Sequence, residues 1–251
     1  MKVKVNRILL HNHSTWSDGH MSLNAIARLG EYLHVSAVVM SEHDYYFSPT
    51  KWQDYIEACR QASTPRCAII PGIEYSSPND DIHIVTMGTP HYHGARKDLV
   101  ETISALRAEG GAAILAHPRR RDCFDKVSRE LISVLDGIEI WNRKVDGLKP
   151  VEAYFKFALN HSLATTVVMD LHTWRQIFPM WNEIGAGAQI LDGNIVATAL
   201  RKRQISPACV LGKLRPGLER GSSLSLKTLA VAERSRLFLR DIRDAVFPAS
   251  A

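Results

Sequence analysis

Residues 5–13 read VNRILLHNH, an apolar, β-branched run that closes on two histidines one residue apart, with Asp18 five residues beyond His13 in HNHSTWSDG (residues 11–19). A run that is almost wholly apolar describes a strand buried on both faces, as in a parallel sheet wrapped by helices. Side chains at i and i+2 on a strand share a side, so His11 and His13 are expected to aim at one point. Gly19 lets the following backbone turn and bring Asp18 to a neighbouring ion.

The same design recurs along the chain in VSAVVMSEHD (35–44), RCAIIPGIEYS (66–76), DIHIVTMG (81–88), GAAILAHPR (111–119), GIEIWNR (137–143) and ATTVVMDLHT (164–173), which makes seven strand candidates with the first. Between them lie amphipathic stretches with apolar residues three and four apart: LNAIARLGEYLH (23–34), KWQDYIEACRQA (51–62), LVETISALRAEG (99–110) and VEAYFKFALNHS (151–162). Ser22 is placed to cap the first, and Gly110 with Gly111 to stop the third. Between the third and fourth strands stands only the turn SSPND (76–80), so that crossover is either tight or its pair is antiparallel.

Nearly every apolar run carries a metal-ligand residue: His11 and His13, then His43, Glu74, His83, His117, and finally Asp170 with His172. In a barrel of parallel strands the C-terminal ends converge on one face, where the active site lies. Six of the eleven histidines sit at or beside strand ends with three carboxylates, Asp18, Glu74 and Asp170. Burying such a cluster without a cation costs a great deal in desolvation, so a multinuclear metal site is expected. His34 and His161 fall in helical patterns and read as structural. His91 and His93 form a second HxH in the turn-rich PHYHG (90–94) and stand outside the main set.

The 251 residues carry a formal charge of +5, with 45% hydrophobic and 23% charged residues. That composition suits one barrel-sized domain, expected to span 1–185, with a mostly helical C-terminal segment at 186–251 packing on it. GNIVATALRKRQ (193–204) and SLKTLAVAERSRLFLRDIRDAVF (225–247) carry the helical pattern there. No run approaches the ~20 apolar residues of a membrane span, and a cytoplasmic protein without membrane partners is expected. Cys59, Cys67, Cys123 and Cys209 lack CxxC spacing and read as reduced, buried thiols.

HNHSTWSDG, SEHD (41–44), PGIEYS (71–76), DIHIVTMG, LAHPRR (115–120) and MDLHT (169–173) together, in this order, resemble the motifs of the PHP (polymerase and histidinol phosphatase) family, over residues 8 to about 175. The resemblance implies an α/β fold, a distorted (β/α)7 barrel, here with a C-terminal helical extension, and a trinuclear site. By motif, His11, His13, Glu74 and Asp170 would hold one ion, Glu74, His83 and His117 a second, and Asp18, His43 and His172 a third. Two motifs depart from the family: Glu42 stands where Asp is usual, and MDLHT replaces Gly-Ser-Asp-x-His. The chain leaves no room for the insertion domain of the branch that acts on nucleoside 3′,5′-bisphosphates and RNA 5′ ends.

The activity implied is metal-dependent hydrolysis of a phosphate ester, with Glu74 bridging two ions that share an activated water. Imidazoles with carboxylates suit three divalent ions, Zn, Mn or Fe. Arg119 and Arg120, following His117, and Arg143, following the sixth strand, are the expected phosphate-binding forks. Arg120 is the first choice, and His20 a candidate general acid. The partner is a small phosphorylated substrate, with a nucleotide or short nucleic acid as the alternative. Competing functions are a 5′-end exonuclease, a histidinol phosphatase, hydrolysis of a non-phosphate bond, and a non-catalytic metal-binding scaffold.

Overall fold

A computed structural model describes residues 5–147, 149–185, 191–210 and 212–214. The expected helix at 225–247 lies outside the described residues. In chain order the elements are β1 (Asn6–Leu9), α1 (Leu23–Tyr32), β2 (Ala37–Val39), β3 (Glu42–His43), α2 (Pro49–Ala62), β4 (Ala68–Ile70), β5 (Gly72–Ser76), β6 (His83–Met87) and α3 (Leu99–Ala108). They continue with β7 (Ala112–Leu115), α4 (Cys123–Lys126), α5 (Arg129–Ser133), β8 (Gly137–Asn142), α6 (Arg143–Asp146), α7 (Glu152–Asn160), β9 (Ala164–Val168), β10 (Met180–Ile184), α8 (Gly193–Arg201), β11 (Ile205–Cys209) and β12 (Gly212–Lys213).

The fold is mixed α/β with two six-stranded sheets. One runs β12-β11-β10-β1-β2-β4 and the other β3-β5-β6-β7-β8-β9. Two of the seven apolar runs are each split between the sheets. VSAVVMSEHD breaks after Val39 into β2 and β3, and RCAIIPGIEYS breaks at Pro71, which has no N–H to give a ladder, into β4 and β5. Met40 N–H donates to Ile70 O at 2.9 Å across this handover. Gly72 is there because a Cβ would lie 2.3 Å from Met40 O and 2.4 Å from Thr86 O.

β5 and β6 are antiparallel, with Ser76 opposite His83, so the turn at 77–82 resolves the open choice at SSPND. The consequence for the site is direct: His83 opens its strand yet arrives at the same end as Glu74. Asn12 bridges Leu171 in parallel, and Asn182 on β10 bonds both the N–H and the carbonyl of Val167 on β9 at 3.0 and 2.8 Å.

β10, β11 and β12 are additions that the seven-strand reading lacks. β10 pairs antiparallel with β1 and β11 with β10. Beyond residue 185 the described residues comprise α8 and the strands β11 and β12.

α1, α2, α3, α7 and α8 form where the apolar spacing places them, and the short α4, α5 and α6 are added between them. The Ser22 hydroxyl accepts from Ala25 N–H at the start of α1, Ser48 caps α2 with Pro49 behind it, and Gly110 takes φ 94° past the end of α3. Their buried faces meet the sheets over Ile26, Trp52, Tyr55 and Ile103, each no more than 1% exposed. Each such side chain contributes about 1.5–3 kcal/mol on burial. Cys59, Cys67, Cys123 and Cys209 are buried thiols, with no disulfide among the described residues. Among the described residues, no helix is long and apolar enough to cross a membrane.

Candidate metal centre

The HxH pair does not arise from strand alternation. β1 ends at Leu9, and His11 takes a left-handed φ of 58°. Asp170 (54°) and His117 (25°) do the same just beyond β9 and β7. Non-glycine residues in this region are strained and gather at functional sites. The compensation is visible in the backbone: His13 N–H donates to Leu171 O at 2.8 Å and His20 N–H to His172 O at 2.7 Å, which staples the HNH and DLH segments side by side.

Glu74 is the centre of the cluster. Its Oε1 lies 2.8 Å from both His83 Nδ1 and His117 Nε2, and its Oε2 lies 3.1 Å from His43 Nδ1 and 3.5 Å from Nε2 of both His11 and His13. Asp170 Oδ1 stands 3.8 Å from the same two Nε2 atoms and 3.2 Å from His172 Nδ1. Asp18 Oδ2 reaches His172 Nε2 at 3.2 Å and His43 Nε2 at 3.4 Å, and its Oδ1 is 3.5 Å from His13 Nδ1. All nine candidate ligands therefore meet in one place, in groups able to hold ions: His13, Asp18, His43 and His172; His11, Glu74 and His117; His11, His13 and Asp170; His43, Glu74 and His83.

The donor set fits divalent cations. His11 Nε2, both ring nitrogens of His13, and His43 Nδ1 are buried without a hydrogen-bond partner, a costly state for polar atoms unless a cation takes their lone pairs. Burial pushes the His13 imidazole well below its usual range, which keeps it neutral as a ligand must be. Burial alone would raise the Glu74 carboxyl, but His11, His83 and His43 hold it well below the carboxylate range. Asp170 behaves likewise through His11 and His172. His172 titrates up to about 9 against its burial, because Asp170 and Asp18 bond its ring.

A supporting layer fixes these ligands. Glu139 on β8, fully buried, lies 2.6 Å from His11 Nδ1 and accepts from His117 N–H at 2.6 Å and Asn142 Nδ2 at 2.9 Å. A carboxylate on Nδ1 would leave Nε2 of His11 free to face an ion held by the cluster. Glu42 accepts from Ser14 N–H at 3.1 Å and from the hydroxyls of Ser14, Ser17 and Tyr55, and so holds the loop that carries Asp18. Gly19 completes that loop, since a Cβ there would sit 2.3 Å from His13 O.

The cluster opens into a cavity of about 490 Å³ whose wall includes Tyr45, Asp80, Arg120 and Lys144. Arg120 stands there as expected, donating to the carbonyl and carboxylate of Asp80 at 2.9 Å each. The other expected substrate residues are placed elsewhere. Arg143 packs with its guanidinium 5.3 Å over the Phe178 ring, and it is the neighbouring Lys144 whose ammonium reaches Asp170 at 3.2 Å. Arg119 and His20 are exposed and do not line the cavity. His91 and His93 both face Glu109, at 3.0 and 3.4 Å, away from the cluster.

Sequence reasoning passed over Glu139, Lys144 and Asp80. Glu139 had a signal, a carboxylate inside the apolar run GIEIW. Lys144 and Asp80 had none, because their roles depend on how a short helix and a turn fold back over the cleft.

The fold is shared with solved proteins described as PHP-like or metal-dependent phosphoesterases. A scan of protein-family models finds no match, and a search of curated proteins finds none. The chain is similar in fold to a two-domain protein from Bacteroides vulgatus described as containing a predicted PHP-like metal-dependent phosphoesterase, with a TM-score of 0.64, 14% identity and 82% of this chain covered. It spans 65% of that protein's length. It is also similar to PsfC from Pseudomonas syringae (TM-score 0.65, 14% identity, 95% of this chain and 99% of that one). A third likeness is to a candidate metal-dependent phosphoesterase from Bifidobacterium adolescentis (TM-score 0.50, 16% identity, 78% of this chain and 96% of that one).

Proposed function

We propose that this protein is a metal-dependent phosphoesterase that hydrolyses a small phosphorylated substrate at a trinuclear site in a distorted (β/α)7 barrel. The observation that carries the reading is Glu74, one buried carboxylate ringed by five imidazoles, several of whose nitrogens have no hydrogen-bond partner. Ring closure is supported by the continuity of β2 with β3 and of β4 with β5, and by the Asn12–Leu171 bridge between the ends of β1 and β9.

His11, His13, Glu74 and Asp170 would hold one ion, Glu74, His83 and His117 a second, and Asp18, His43 and His172 a third, with His13 also within reach of the third group. Zn, Mn or Fe, when bound, supply Lewis acidity toward phosphoryl oxygens and lower the pKa of a bound water to about 7. The chain's own residues do the rest. Arg120 offers a planar fork to the phosphate from the cavity wall, and Lys144 adds a second cation on the side of His172. Glu139 keeps the His11 tautomer with Nε2 turned inward, and Glu42 holds the Asp18 loop in register.

Glu74→Gln tests the reading. The variant is expected to fold, to lose most of its bound metal and to lose phosphate release. Retention of full metal content and substantial turnover would sink Glu74 as the shared ligand.

A further inference from the structure

We propose that Asp80 is a positioning residue that couples the substrate-facing Arg120 to the candidate ligand His83, so that phosphate grip and metal retention depend on one carboxylate. The inference rests on the phosphoesterase reading only for what Arg120 binds.

Asp80 sits in the turn between β5 and β6 with φ 61°. Its Oδ1 lies 2.9 Å from His83 Nε2, the nitrogen opposite the one that faces Glu74. Its Oδ2 accepts from Arg120 Nη2 at 2.9 Å and Arg121 Nη1 at 2.7 Å. Its carbonyl accepts from Arg120 Nη1 at 2.9 Å and Arg121 Nη1 at 3.0 Å. The turn itself is braced by Ser77, whose hydroxyl accepts from the N–H groups of Asp81 and Ile82 at 3.0 Å each, and by Lys126 on Asp81 at 3.0 Å.

Two jobs follow from this one group. On the metal side, a carboxylate on the outer nitrogen of an imidazole fixes the tautomer in which the inner nitrogen carries the lone pair, and turns the ring toward the ion. On the substrate side, Arg120 spends one edge of its fork on Asp80, which immobilises a long side chain before any ligand arrives and keeps its remaining N–H groups over the cavity. Arg120 Nη1 is 3.1 Å from His83 Nε2, a contact of two donors in this tautomer, so Asp80, which accepts from both side chains, is what joins the two jobs. A bare turn-stabilising ion pair would do neither, and exposed pairs of that kind are worth little.

The backbone allows a clean removal. Glycine is at ease at φ 61°, so Asp80→Gly deletes the carboxylate without strain, and Asp80→Asn keeps an acceptor while deleting the charge. Mn²⁺ titrated into metal-free protein and inorganic phosphate titrated into Mn-loaded protein, both by calorimetry, are the probes, with Arg120→Met and the double variant beside them. Asp80→Gly is expected to weaken one class of Mn²⁺ site by roughly 10–100-fold and also to weaken phosphate binding, with Asp80→Asn intermediate. Arg120→Met is expected to weaken phosphate alone, and Asp80→Gly added to it to cost phosphate binding little more, because the two act as a unit.

Mn²⁺ and phosphate constants within about twofold of wild type in Asp80→Gly, with only a lowered Tm, would overturn the coupling in favour of a structural clip, as would strictly additive losses in the double variant. If Mn-loaded wild type binds no phosphate, the phosphoesterase reading and the Arg120 arm fall together. The Mn²⁺ titration of Asp80→Gly then still decides the His83 arm.

Discussion

Replacing Glu139 with glutamine keeps the volume of a fully buried side chain but reverses one edge of it. Both carboxylate oxygens now accept: one faces His11 Nδ1 at 2.6 Å, the other takes His117 N–H at 2.6 Å and Asn142 Nδ2 at 2.9 Å. An amide has one acceptor and one donor edge. Its oxygen is best spent on the two donors of His117 and Asn142, because an unpaired buried donor costs about 1–3 kcal/mol. The NH₂ must then donate to His11 Nδ1, which moves the imidazole proton to Nε2, the atom facing Glu74 and Asp170. The fold therefore loses little, about 1 kcal/mol from exchanging charged for neutral hydrogen bonds, while metal affinity falls roughly 10–100-fold. Glu139→Ala is expected to cost about 3–5 kcal/mol of stability, since it strips a buried charged network of its acceptor. Urea denaturation of metal-free protein, paired with metal titration by calorimetry, separates the two effects. Wild-type metal affinity in Glu139→Gln would refute the reasoning, as would a stability loss as large as that of the alanine variant.

Gly19→Ala forces the backbone of His13 and Ser14 to give way, and is expected to cost about 1–3 kcal/mol by overpacking. It should also displace Asp18, so the metal content per chain should drop along with the Tm. In metal-free protein His172, raised to about 9 in the fold, contributes stability that is fully present below about pH 6.5 and is lost as pH rises through about 9, roughly 3 kcal/mol in all. His172→Gln should flatten that stretch of the denaturation-versus-pH curve, and an unchanged slope would count against it. Glu74 and Asp170, held low, act with the opposite sign: their contribution is present above about pH 4 and is lost on further acidification. Lys144→Met should raise KM for phosphate esters, whereas Arg143→Met, whose guanidinium covers Phe178, should lower stability and leave KM alone. The reverse outcome would restore Arg143 to the substrate side.

The apolar runs were legible because both-face burial leaves few other residues, and the candidate ligands were legible because most of them stand at or just past the ends of those runs. What the pattern could not show was the bend. Strand alternation accounts for none of the HxH geometry, since β1 stops at Leu9 and a left-handed His11 does the turning. Likewise Pro71 hides a strand break inside one apolar run, which moves β5 into a different sheet from β4. β10 was not legible, because its buried positions include the polar Asn182 and its half-exposed ones the aromatic Trp181, so burial of period two leaves no apolar alternation in the sequence. That Arg143 packs over Phe178 while Lys144 faces Asp170 was not legible, because a four-residue helix, α6, follows β8 at once and turns consecutive side chains to different neighbours.

The most direct test of the central claim is phosphate release by purified protein, metal-free and loaded in turn with Zn, Mn or Fe, against phosphomonoesters, nucleotides and short RNA. Turnover of a phosphate ester is expected only from loaded protein, and is expected to vanish in Glu74→Gln. Fully loaded protein that holds its ions and releases no phosphate from any of these substrates would contradict it.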